Sequence, residues 1–122
     1  MVQQRTTVQW AYEHYFVYLH LCIADSDCVI CENEFEKIRN AVFPNIDEAR
    51  AGKLIKDVYI EFLSHNDSDK KKTIKELAPK YLRTASICQR VLKNLASHLN
   101  REEDSEEQIM FKYIEKAISY DR

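Results

Sequence analysis

The sequence predicts an all-α fold, a compact bundle of about six helices in one domain spanning residues 1–122. Three observations carry this. One Gly and two Pro in 122 residues are too few for the many tight turns of a β-sandwich. Apolar residues recur at helical rather than alternating spacing along most of the chain. A hydrophobic fraction of 45% beside 31% charged residues is globular composition, enough to fill a core at this length.

The elements follow in order. From Thr6 to Ala24, Val8, Tyr12, Tyr15, Leu19 and Cys22 form one stripe and Trp10, Val17 and Leu21 another. A helix apolar on two sides belongs in the middle of its bundle. Asp25–Ile30 breaks the pattern, which Cys31–Phe43 resumes with Phe35, Ile38, Ala41 and Val42 until Pro44 stops it. A third helix opens with Asn45 as cap and Glu48 three residues on, and its stripe is Ala51, Leu54/Ile55, Val58 and Phe62. After the turn at Ser64–Ser68 a new cap is expected at Asp67 or Ser68. Ile74, Leu77, Ala78 and Tyr81 then form a lysine-rich helix that Pro79 should kink or end. Ile87, Val91, Leu95 and His98, with Cys88, Leu92 and Leu99, make the fifth helix. Asp104-Ser105-Glu106-Glu107 starts the last, whose apolar residues are Ile109, Met110, Tyr113, Ile114 and Ala117.

Charge and targeting narrow the function classes. The net charge of −2 leaves no basic stripe for a nucleic acid. Lys70-Lys71-Lys72, the only basic run, follows Asp67 and Asp69 and reads as a solvated helix start. The longest apolar stretch, Tyr15–Ala24, is too short to cross a bilayer and contains His20, so no membrane partner is expected. The first residues show no signal-peptide pattern, and four scattered Cys suit free thiols, so a cytoplasmic location is expected.

The chemically suggestive segment is Ala24–Ile38. Asp25, Asp27 and Glu34 are oxygen donors that a short loop can gather around a hard divalent cation, with calcium the first guess. The register is not that of an EF-hand, since Ile23 would take the first ligand position and Cys28 that of the turn glycine. The alternative is that these acids cap helices and favour helix N-termini electrostatically, with no metal bound.

Leu21-Cys22-Ile23-Ala24-Asp25-Ser26-Asp27, followed by Ile30-Cys31-Glu32-Asn33-Glu34 and Ile38, resembles the TerB-like (tellurite-resistance-associated) helical family. There an apolar helix ends in Ala-Asp-Gly, a short acidic loop follows, and a Ser-capped helix begins with Glu. The family motif occurs twice, and its second copy corresponds to Leu95–Asn100 and Asp104–Glu107. The interval from Asp25 to Glu32 equals that from Asn100 to Glu107, a weak internal repeat. Ser26 stands for the usual glycine, Cys31 for the capping serine and Asn100 for the second aspartate. The resemblance implies a helical domain of the bacterial cytosol with clustered acids, a divalent cation at Asp25, Asp27 and Glu34, and a second site at Asn100, Asp104 and Glu107. It also implies contacts with other proteins in a chemical-stress or tellurite-resistance setting.

Other constellations are plainer. Cys28-Val29-Ile30-Cys31 is a lone C-x-x-C; His20 and Cys22 lie two apart on a helix and point different ways, so a zinc set does not converge. His14, His20, His65 and His98 form no catalytic motif and read as surface or core-edge residues. Trp10, Tyr12, Tyr15, Phe16 and Tyr18 crowd one helix, mostly as core, with some rings available for a partner or for self-association. No nucleophile–base pair is visible, so the expected role is non-enzymatic: a cation-binding TerB-like domain, or alternatively a purely protein-binding scaffold.

Overall fold

A computed structural model describes residues 12–25, 32–44, 47–97 and 105–118, without the side chains of Glu32, Asn33, Glu34 and Glu48. Six α-helices occupy them, with no strand among the described residues: α1 (Tyr12–Asp25), α2 (Glu32–Val42), α3 (Glu48–Leu63), α4 (Asp67–Tyr81), α5 (Ala85–Ala96) and α6 (Glu106–Ala117). Among the described residues no helix is long and apolar enough to cross a membrane.

The bundle is organised around α1. Every residue from Tyr15 to Ala24 is buried, and the helix meets α2, α3, α4 and α6. Its apolar residues on all sides leave it no face for water, which makes it the central element the sequence predicts. On α3, Ala51, Ile55, Val58 and Phe62 recur every three or four residues, and all four are buried against that core. Ile74 and Ala78 of α4, Cys88, Val91 and Leu95 of α5, and Ile114 of α6 close the remaining sides.

Helix ends explain the turns, and some differ from expectation. α3 is entered at Asp47, whose side chain makes no cap hydrogen bond; the expected Asn45 cap lies outside the described residues. α4 is capped by Asn66, one residue before the two candidates. Its side chain accepts from the Asp69 amide at 2.7 Å, and Asp69 accepts from the Asn66 amide at 3.2 Å, a reciprocal capping box. Thr84 and Ser105 cap α5 and α6 through the Ile87 and Gln108 amides. Pro79 does not end α4, which runs on to Tyr81, because the one amide it lacks falls in the last turn. The Thr6–Ala11 part of the expected first helix, with Val8 and Trp10, and His98 and Leu99 of the fifth, lie outside the described residues.

Candidate functional site

Asp25 is the one first-loop acid whose side chain is described, and it is already engaged. Its Oδ2 lies 3.0 Å from the Lys70 ammonium in the first turn of α4. Lys70 is only 15% exposed on its side chain, and its ammonium stands 4.4 Å from the centre of the Phe62 ring. A cation drawn to Asp25 must therefore compete with a positive charge that the fold has already placed. The basic run is thus not wholly solvated: Lys70 is held inward, and the Lys71 ammonium stands 5.4 Å from the Tyr113 ring centre.

The other expected ligands divide. Asp27, Asn100 and Asp104 lie outside the described residues, as do Cys28 and Cys31, and Glu34 is described only as a backbone position in α2. Glu107 is half-buried in the first turn of α6 and shares a small cleft with His20, Ala24 and Lys37. Asp25 lines a neighbouring cleft with Cys22, Asp67, Lys70, Lys71 and Glu106. Both clefts lie between the end of α1 and the start of α6. Two lysines share the space, and among the described residues no group of three or more His, Cys, Asp or Glu side chains could hold a metal ion.

Two histidines read as surface or core-edge residues lie at the core edge and connect helices. The Tyr18 hydroxyl lies 2.7 Å from His65 Nδ1, and His65 Nε2 lies 3.1 Å from Glu61 Oε2. A neutral imidazole then donates from Nε2 to the carboxylate and accepts the phenol proton at Nδ1. Burial pushes the Tyr18 phenol well above its ordinary value, and the phenol has no solvent-exposed surface. These hydrogen bonds tie α1 to the end of α3. The sequence signal was the spacing of Glu61 and His65, four residues apart. His20 Nε2 lies 2.9 Å from Asn94 Oδ1, and Asn94 Nδ2 donates to the Ala41 carbonyl at 3.3 Å, joining α1, α5 and α2.

Of the aromatic residues offered for a partner surface, Tyr15, Phe16 and Tyr18 are buried, Tyr12 is half-buried, and Trp10 lies outside the described residues. The exposed apolar surface is elsewhere. Ile60 and Leu63 of α3 are 61% and 63% exposed, one turn apart. The same helix borders an open groove of ≈ 480 Å³ lined by Phe35, Glu36, Arg39, Gly52, Ile55, Lys56 and Tyr59. Phe35 of α2 meets Tyr59 edge-on, with ring centres 5.1 Å apart, which fixes one wall. Gly52, the only glycine of the chain, leaves a gap where an added Cβ would meet nothing within 4 Å.

No protein-family model, curated protein or solved structure matches this chain. The α2–α3 groove has apolar walls and charges of both signs at its rim.

Proposed function

We propose that this chain is a non-catalytic helical interaction module that receives an apolar polypeptide segment along the α2–α3 face. The observation that carries the reading is the exposure of Ile60 and Leu63 on the helix that also lines the groove of Phe35, Gly52 and Tyr59. Large aliphatic side chains left in water on a helix that also walls an apolar groove mark a surface that gains free energy when covered. The remaining large apolar residues with high exposure reduce, among the described residues, to Ile109 on α6.

The TerB-like reading, with its divalent cation and stress or tellurite-resistance setting, rests on the helix–acidic segment–helix pattern alone. The Asp25–Lys70 pair supports the alternative in which these acids serve the fold. A photo-crosslinking residue at Leu63, with a control at exposed Lys75, tests the interaction reading in cells that make the chain. The expected result is a discrete protein adduct at Leu63 that Gly52→Gln abolishes. Labelling at Leu63 no different from that at Lys75 would overturn it.

A further inference from the structure

We infer that the α4–α6 face, separate from the α2–α3 groove, receives an acidic polypeptide segment that carries an apolar side chain. Sequence order hides this face, because its charges come from two helices distant in the chain. On α6, Ile109, Lys112, Tyr113 and Lys116 stand at i, i+3, i+4 and i+7 and so share one stripe. On α4, Lys71 and Lys75 are one turn apart, with Lys72 beside them. The Lys71 ammonium lies 5.4 Å from the centre of the Tyr113 ring, which sets the two stripes edge to edge. The helices run side by side in the same direction. Asp67, Lys70 and Lys71 share a cleft with Glu106 and Met110 at one end, and Cys88 Sγ reaches both the Leu82 and Ile118 carbonyls at the other. Lys75 and Lys116 therefore follow together, about one turn beyond the Lys71–Tyr113 contact.

Lys71, Lys72, Lys75, Lys112 and Lys116 are all exposed, and none forms an ion pair among the described residues. The cleft end is of mixed sign, with Asp67 and Glu106, and positive charge builds toward Lys75 and Lys116. Glu76, one turn from Lys72, and Glu115, one turn from Lys112, border the face and offset only part of that charge. Ile109, 55% exposed, lies within the same stripe. An acidic segment matches both features, setting carboxylates against the lysines and an apolar side chain on Ile109. The stripe from Ile109 to Lys116 is about 10 Å long, too short for a duplex footprint, and neither stripe has an arginine to grip phosphate bidentately. A chain of net charge −2 is repelled as a whole by a long polyanion or an anionic bilayer, whereas a short segment meets only the local field.

Fluorescence anisotropy on the full chain tests this with a labelled peptide of four Glu-Glu-Leu repeats at low and at physiological salt. Saturable binding in the micromolar to millimolar range is expected, weakening as salt screens it. Lys75→Gln/Lys116→Gln and Lys112→Gln/Lys116→Gln should each weaken it about threefold or more, with the melting temperature unchanged. The control Lys53→Gln/Lys93→Gln, at exposed lysines of α3 and α5, should leave it unchanged. Ile109→Ser should weaken binding of the Glu-Glu-Leu peptide about threefold and leave a Glu-Glu-Ser peptide unaffected, which general charge attraction would not do. No binding of the peptide, or binding that the control variant weakens equally, would overturn the inference. Tighter, lysine-dependent binding of oligothymidylate or of phosphatidylserine vesicles would overturn it as well and assign the face to a polyanion or a membrane.

Discussion

Lys70 of α4 reaches back to Asp25 at the end of α1, with its ammonium 3.0 Å from the carboxylate, and closes the ring face of Phe62 on the way. One side chain thereby neutralises the residue best placed to begin a cation site and covers part of the core. The Asp25 carboxylate is 41% exposed, so water screens the pair from one side.

Asp25→Asn should therefore destabilise the protein by about 1 kcal/mol or less. Lys70→Ala should cost about 1–2 kcal/mol, because it also removes the stem and charge packed on Phe62. Chemical denaturation of both single variants and the double variant would isolate the pairwise coupling. Millimolar calcium is expected to leave the wild-type melting temperature unchanged. A calcium-dependent rise abolished by Asp25→Asn would return the cation reading.

Gly52→Ala should make the fold more stable by about 0.5–1 kcal/mol, since glycine inside a helix carries excess unfolded-state entropy and the added methyl meets no neighbour. A thermal melt should move up by a few degrees.

Tyr18→Phe deletes the hydroxyl that meets His65 Nδ1 in a part-buried site. The cost is expected at about 1–3 kcal/mol, that of a buried acceptor left unsatisfied. Urea denaturation measures it. A change within experimental error would mean that the imidazole finds another donor.

The pH profile should fall on both sides. Burial lowers the His14 pKa below its ordinary 6.5, against the opposing pull of Glu13 and Asp57. The unfolded chain then binds the proton more readily, so His14 contributes stability above about 6.5 that is lost as pH falls from there through the folded value. Burial pushes the Cys22 thiol well above its ordinary 9.0, with Lys70 opposing. That contribution is present below 9.0 and lost as pH rises past it, because the unfolded thiol ionises first. Melting temperatures from mildly acidic to alkaline pH should show both limbs, with His14→Gln flattening the acid one and Cys22→Ala the alkaline one.

The legibility of these features in the sequence follows their range. Periodicity is local, so the all-round apolar α1 and the Ala51–Phe62 stripe were readable directly. Cap choice among Asn66, Asp67 and Ser68 was not, because all three side chains cap well and backbone geometry selects one. On α6, Ile109 and Ile114 fit helical patterns equally, yet Ile109 is 55% exposed and Ile114 fully buried; tertiary packing decides between them. Lys70 looked solvated because its partner lies 45 residues away on another helix. The groove had one overlooked signal: the single glycine of the chain sits inside a helix, where it would be costly unless something needed the space.

The burial of α1 on every side also bears on how the chain is made. Its Tyr15 hydroxyl donates to the Ile74 carbonyl, 59 residues on, and His20 meets Asn94, 74 residues on. Synthesised before the helices that cover it, α1 must wait for its neighbours while carrying surface that water rejects all round. Synthesis that stops before α6 leaves one flank of α1 uncovered, so nascent and shortened chains should be clients of chaperones and proteases, and the finished chain should not.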